Sequence, residues 1–220
     1  ESGWDASLGI SSNYSANTRV NGQGTYAQDE LGGWLYRASG AVSTRIGNRW
    51  EFSVSPSYSH EDQPRQWVAL ADTLGNPLVG GGPPATYGNR YAFSKIETSA
   101  LRLQLRLNYF FTPDLSLEVY AEPFSASGRY YSQGELLAAR TTDIRVYTNV
   151  VRDSSGALIV TDGAQTFQIL DDDYGIRSFR SNFVLKWTFN PGSTLYLVWQ
   201  RKLGEQNKEA GKMVNFGSVF

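Results

Sequence analysis

The chain has 220 residues, with 22 Gly, 13 Tyr, 11 Phe, 6 Trp, no Cys and a formal net charge of −1. The lack of cysteine excludes disulfides, thiolate metal sites and a Cys nucleophile. The near-neutral charge argues against a nucleic-acid partner, which calls for a basic excess.

Aromatic residues make up 14% and hydrophobic residues only 40%, which points to apolar groups gathered on one face of many strands. No run approaches the ~18–20 apolar residues of a membrane helix. The chain opens Glu1-Ser2-Gly3-Trp4, without the basic start and apolar run of a signal peptide. The numbering is therefore expected to begin inside a larger or processed protein.

In chain order, strands are expected near 3–15, 34–46, 50–72, 88–111, 115–128, 176–190 and 194–203, with almost no helix. Residues 16–33 read as the first of the long polar connections. Trp50, Phe52, Val54 and Tyr58 alternate with Glu51, Ser53, Ser55, Ser57 and Ser59. After a polar stretch over 61–94, Leu101, Leu103, Leu105, Leu107 and Tyr109 share one face while Arg102, Gln104, Arg106 and Asn108 share the other. A helix would scatter these leucines around its axis; a strand sorts them. Leu115–Ala121 alternates in the same way. Residues 128–175 form another long polar stretch. Phe179–Phe189 alternates less strictly, and Leu195, Leu197 and Trp199 continue the pattern. Asp72–Asn76 and Asp153–Gly156 read as tips of extended hairpins inside the long connections, and residues 204 onward read as the last polar segment.

Three connections are tight: 47–49, 112–114 and 191–193. Treated as three-residue loops, they place Val42 opposite Val54, Phe111 opposite Leu115, Tyr109 opposite Leu117 and Leu107 opposite Val119. The last hairpin would place Phe189 opposite Leu195, Trp187 opposite Leu197 and Leu185 opposite Trp199. Every pair then keeps apolar with apolar, whereas a one-residue slip would flip one partner.

Short turns at one end and long polar loops at the other are the layout of an outer-membrane barrel. The expected fold is all-β, an antiparallel up-and-down meander that is part of a transmembrane β-barrel. On that reading Leu101, Leu103, Leu105, Leu107, Leu115, Leu117, Phe183, Leu185, Leu195, Leu197 and Trp199 face lipid. Arg102, Arg106, Glu118, Glu122, Arg180 and Lys186 face the lumen. Trp50, Tyr109, Phe110, Phe111, Trp187 and Phe189 form an aromatic girdle at the tight-turn end. Alternation by itself also permits the inverse, a soluble lipocalin-like barrel with the leucines inside. Arg106 is expected opposite Tyr120 and diagonal to Glu118 and Glu122. Seven strands is an odd number, so the chain is expected not to close on itself. Residues 212–220 are a candidate partial eighth strand, with Phe220 resembling a barrel's aromatic C-terminus.

Candidate chemical sites are weak. Asp171-Asp172-Asp173 reads as a solvated loop, since calcium loops space their oxygen donors. His60-Glu61-Asp62 offers the chain's one imidazole, so no metal is expected, and no nucleophile motif accompanies it. Glu118 and Glu122 lie four apart on one strand face and read as charge balance rather than a glycosidase pair. Gly80–Pro84 lacks the Lys-Ser/Thr of a phosphate loop. No cofactor and no enzymatic activity are expected.

Several blocks resemble a family of bacterial outer-membrane proteins of uncharacterised function. They are Tyr87–Phe93, Leu101–Leu117, Tyr120–Gly128, Arg177–Trp187 and Pro191–Gln200, which together cover most of residues 50–200. Full-length members begin with a domain resembling a family-9 carbohydrate-binding module, followed by a large C-terminal barrel. The resemblance implies that residues 1–220 are a single barrel region cut at both ends, located in the bacterial outer membrane with lipid as its partner. Two functions follow as expectations. One is a channel-like or passive membrane component. The other is a membrane anchor for a surface protein that binds glycans through the N-terminal domain. An active transporter is a weaker third, since no plug or energy-coupling segment is seen.

Overall fold

Side chains that alternate every second residue demand partners that alternate in phase, and the chain meets that demand with long antiparallel strands. The computed structural model describes residues 2–13, 15–154, 157–170, 172–206, 210–215 and 217. The strands are β1 (Gly3–Ser11), β2 (Thr18–Asp29), β3 (Trp34–Ile46), β4 (Trp50–Trp67), β5 (Leu70–Ala71), β6 (Ala92–Thr112) and β7 (Leu115–Leu136). They continue with β8 (Ile144–Val146), β9 (Val150–Arg152), β10 (Leu158–Asp162), β11 (Gln165–Ile169), β12 (Tyr174–Asn190) and β13 (Ser193–Gln206). Helix is almost absent among the described residues, its one element longer than a single residue being a 3-10 turn, Pro84–Thr86. The all-β, antiparallel expectation holds.

The large sheet runs β1-β2-β3-β4-β6-β7-β12-β13, with β8 added to the end of β7. Among the described residues no ladder joins β1 to β13, so the sheet is open. The expected reason for openness fails, because the meander holds eight long strands rather than seven. The missed strand is β2, inside the stretch read as a polar loop. Two of its apolar-side positions are Gly22 and Gly24, which carry no hydrophobic signal. They sit opposite Ile10 and Leu8 of β1. A Cβ on Gly22 would lie 3.5 Å from Ile10 Cγ1, so small and large side chains complement each other across the pair. Residues 210–215 and 217 form no strand; positions 216 and 218–220 of the proposed 212–220 strand, together with Asp171 and the Ser155-Gly156 tip, lie outside the described residues.

The tight turns keep the two faces apart by different routes. At 47–49 the three-residue loop is as expected, with Ile46 paired to Trp50 and Val42 to Val54. In the next hairpin Leu107 pairs with Val119 and Tyr109 with Leu117, as expected. Its closing pair, however, is Thr112 with Leu115 rather than Phe111 with Leu115. The turn is two residues, Pro113-Asp114, and a β-bulge at Phe111 adds back the one residue that preserves parity. The last hairpin repeats the device: Asn190 pairs with Ser193 around Pro191-Gly192, and Phe189 is the extra residue. Its register is two residues away from the expected one. Trp187 pairs with Leu195, Leu185 with Leu197 and Phe183 with Trp199. A shift of two moves every partner but flips none. The bulged rings stay with their aromatic neighbours, Tyr109–Phe111 at 4.5 Å and Trp187–Phe189 at 5.7 Å between centroids.

The long connections build a second layer. A four-stranded sheet, β5-β11-β10-β9, encloses a core of Val68, Ala92, Tyr147, Leu158, Val160, Phe167 and Ile169, with Tyr130 packed against it. Ala92 and Tyr130 belong to β6 and β7, in phase with Arg102 and Glu122 rather than with the leucines. The small sheet therefore lies on the polar side of the large one, at the long-loop end.

Pro191-Gly192 is a type II signature, with Gly192 at φ 83° and open space where a Cβ would point. Gly192→Ala should cost about 1 kcal/mol through backbone strain alone. Gly204→Ala, mid-strand with its nearest neighbouring atom at 4.0 Å, should stabilise by about 0.5 kcal/mol. Urea titration of the two variants checks that the signs are opposite.

Candidate functional site

The polar face of the large sheet is where the sequence gathers chemistry. Arg102, Arg106, Glu118, Glu122, Arg180 and Lys186 all fall on it by cross-strand pairing. Arg106 pairs with Tyr120 in the expected register. Its guanidinium lies over the Tyr120 ring, 5.3 Å from the centroid, and Arg102 lies over Phe124 at 5.5 Å. Ion pairing across this hairpin does not take the expected form. Among the described residues neither Glu118 nor Glu122 comes within salt-bridge distance of Arg106. The Glu122 Oε2 instead accepts from Gln104 Nε2 at 2.9 Å and from the Tyr120 hydroxyl at 2.6 Å.

The apolar face carries Leu101, Leu103, Leu105, Leu107, Tyr109, Leu115, Leu117, Phe183, Leu185, Trp187, Leu195, Leu197 and Trp199, in register across four strands. Phe111 and Phe189 join it through the bulges. Phe110 pairs with Ser116 and falls on the polar side of the tight-turn end, unlike the other girdle rings. Leu8 is 78% exposed, Leu197 57% and Trp199 53%. The central Leu103, Leu105, Leu107, Leu115, Leu117 and Leu185 are half-buried, and Leu101 is buried at 2%; the Val214 N–H donates to Ser99 Oγ at 2.9 Å on the same face, where the 210–215 segment crosses.

A second aromatic band closes this face toward the long loops. It comprises Trp4, Tyr26, Trp34, Tyr36 and Tyr58, with Trp4 and Tyr26 rings 5.4 Å apart. The sequence reading found only the band at the tight turns. The second is visible only once β2 is recognised as a strand.

The weaker sequence candidates resolve into structural roles. His60 Nε2 lies 3.0 Å from Glu97 Oε1, Glu97 also holds Arg129 at 2.6 Å, and Asp62 accepts from the Tyr131 hydroxyl at 2.7 Å. Asp172 pairs with Arg152, and Asp173 Oδ1 accepts from the Tyr130 N–H. Among the described residues no three His, Cys, Asp or Glu side chains are grouped to hold a metal. Gly82 sits against the Asn89 carbonyl, and the Gly80–Pro84 stretch leads into the 3-10 turn rather than into a phosphate cradle.

One charged cluster had no signature in the sequence, because its members are scattered over more than seventy positions. Glu135 is 2% exposed. It receives Arg90 Nη1 at 2.7 Å, the Tyr147 hydroxyl at 3.2 Å, and Arg145 Nη2. Arg145 also grips both oxygens of Asp162, at 2.8 and 2.7 Å, and Arg90 stacks over Phe167 at 4.7 Å. Two guanidiniums balance two carboxylates beneath the small sheet, fastening β7, β8 and the β10–β11 hairpin to the loop before β6. The Arg145 bonds, with help from Arg90, hold the Asp162 carboxyl down at about 2. Burial, reinforced by Glu135, pushes the Tyr147 phenol up.

With the geometry in view, comparison with known proteins gives a single relation. Residues 1–219 match the family model described as "Domain of unknown function (DUF5916)". The chain belongs to that family. No curated protein and no solved structure matches it.

The buried cluster generates two expectations. Glu135→Ala leaves two guanidiniums facing one carboxylate in a dry site, which should destabilise the small sheet by about 3 kcal/mol. Hydrogen exchange should then rise over 144–169 while the β6–β7 ladder stays protected. Asp162 titrates below its ordinary 3.8 in the folded chain, so the stability it contributes is fully present above that value. That contribution is lost as pH falls through about 2. The near-UV signal of Tyr147 and Phe167 should hold to about pH 4 and decline between there and about pH 2.

Proposed function

We propose that this chain is a wall of a transmembrane β-barrel in the bacterial outer membrane, acting as a non-catalytic, channel-like or passive membrane component. The observation that carries the reading is which face is covered. In a soluble sheet the apolar face packs against the second layer and the polar face meets water. Here the second layer lies on the polar face, and among the described residues the apolar face carries no sheet of its own; only the 210–215 segment crosses it, over Ser99 and Leu101. A continuous exposed apolar surface of this extent marks a lipid or protein contact rather than a solvated wall.

The dimensions support lipid. Trp50 and Tyr58, one in each aromatic band, are eight residues apart on β4. That is about 27 Å along an antiparallel strand. At the ~40° tilt of membrane barrels it stands about 21 Å tall, to which the rings add their own width, close to the ~25 Å apolar band between girdles. The connections at one rim are short, 12–17 being the longest, and the long structured connections 68–91 and 137–173 stand at the other rim beside the short 30–33 turn, a layout that resembles the periplasmic and outer ends of such barrels.

The test compares neighbours on opposite faces. Leu105→Arg should cost about 2–4 kcal/mol in folding into lipid vesicles, as lipid-facing arginine does near the bilayer midplane, while Gln104→Arg should cost less than about 1 kcal/mol. Equal tolerance of both would mean that the leucine face does not meet lipid.

A further inference from the structure

On the reading of the polar face as a water-filled lumen, we infer that its middle is an anion-attracting wall, built to admit small oxyanions such as carboxylates and phosphates. Three successive cross-strand rows level with Leu103–Leu107 carry Arg19, Arg102, Arg106, Arg180 and Lys202, against the single carboxylate of Glu122. None of the five cations forms an ion pair within 4 Å among the described residues, although Arg45, Arg90, Arg129, Arg145 and Arg152 elsewhere all do. The one carboxylate in the rows takes its two direct hydrogen bonds from neutral donors, Gln104 and Tyr120. The guanidiniums of Arg102 and Arg106 lie over ring faces, and Glu122, which feels the charge of Arg102 and Arg180, pairs directly with neither, so their N–H groups are left available.

Arg106 borders two hollows on this wall. One, of about 420 Å³, it shares with Arg19, Asn108 and the Arg45–Glu51 ion pair, whose charges cancel; the other, of about 370 Å³, with Tyr120 and Asn182. Glu118 lines the second hollow from the next row toward the tight turns and sets its cathodic edge. Unpaired cations on one wall repel each other, and an entering anion relieves that repulsion. Arginine and lysine linings give anion preference in pores, and the planar guanidinium matches carboxylate and phosphate oxygens two at a time. A like-signed wall over a low-dielectric backing also concentrates counter-ions, raising local anion encounter by about 10-fold or more.

The cysteine-free chain allows a direct reading. Ser55 faces Gln104 and lies diagonal to Arg102 and Arg106, while its neighbour Val54 faces Leu105. Single variants Ser55→Cys and Val54→Cys, made in the complete barrel of which this chain is a wall and folded into phosphatidylcholine vesicles at low salt, are treated with an anionic sulfonatoethyl and a cationic trimethylammonioethyl methanethiosulfonate. The anionic-to-cationic rate ratio at Ser55→Cys should exceed that of free glutathione by about tenfold. It should collapse toward the glutathione value in about 1 M salt, where the screening length falls to about 3 Å. Adding Arg102→Gln, Arg106→Gln and Arg180→Gln should abolish the excess; the salt arm needs no arginine substitution and stands if that triple variant fails to fold. A ratio at or below that of glutathione, or one indifferent to both salt and the arginines, overturns the anion wall while leaving the lumen reading intact. Val54→Cys reacting as fast as Ser55→Cys, or no reaction at Ser55→Cys, overturns the lumen reading and this inference with it.

Discussion

Parity is the constraint on which the rest of this structure depends. A strand has two sides, and a hairpin that gains or loses one residue exchanges them for everything downstream. Carrying one apolar side across eight strands requires every junction to respect the same arithmetic. At Gly47–Arg49 the loop length does it directly. At Pro113-Asp114 and Pro191-Gly192 the turn is a residue too short, and the chain restores the count with a bulge on the incoming strand, at Phe111 and Phe189. Both bulged residues are phenylalanines whose rings rejoin the apolar side. The correction thus leaves an aromatic at the level where amphipathic rings settle at a bilayer boundary.

With the sides kept pure, each can be built for a different medium. The apolar side needs nothing but surface, and apart from Leu101 its leucines are covered only by their neighbours on the same face. The polar side tolerates a second layer only if that layer brings its own core, and the small sheet does so with Val160, Phe167 and Ile169. It meets β7 in two ways, through Tyr130 packed on that core and through an ionic join at Glu135. Glu135 is too buried to stand alone, and Arg90 and Arg145 are held in place by the same Asp162. Such a cluster confers geometry more than stability, since apolar packing of equal volume would hold as well. Its consequence is that the long connections form one fixed body at the polar side of one rim.

The sequence made the central hairpins legible and left the periphery obscure, for identifiable reasons. Leu101–Tyr109 and Leu115–Ala121 alternate without interruption, so strand, face and register were all readable there. β2 was not, because glycine at positions 22 and 24 erases the apolar beat that Val20 and Tyr26 would otherwise have carried. The last hairpin kept its faces but not its partners. Counting residues between alternating runs cannot tell a three-residue loop from a two-residue turn with a bulge further back, as the two differ by an even slip. The small sheet was legible only as turn signals at Asp72–Asn76 and Asp153–Gly156. Its buried charges come from four segments that meet only in three dimensions, so no spacing announces them.

The polar side is itself divided, and the division follows strand order. In the rows of Arg102, Gln104 and Arg106 it presents, on β1, β3 and β4, Gly9, Ser11, Ser39, Ala41, Ser43, Ser53, Ser55 and Ser57, all short. On β6, β7 and β12 it presents Arg102, Gln104, Arg106, Tyr120, Glu122, Phe124 and Arg180, all long. Had long side chains filled both halves, the wall would carry a continuous packed layer and exclude solutes. Had short ones filled both, it would be wide and indifferent. Short residues beside long cationic ones leave hollows edged by charge, and the larger of the two beside Arg106 lies at this boundary, between Ser43, Ser53 and Arg106. Width is set by the serines and sign by the arginines. The two properties are therefore separable, since lengthening a serine would narrow the hollow without altering its charge, and neutralising an arginine would do the reverse.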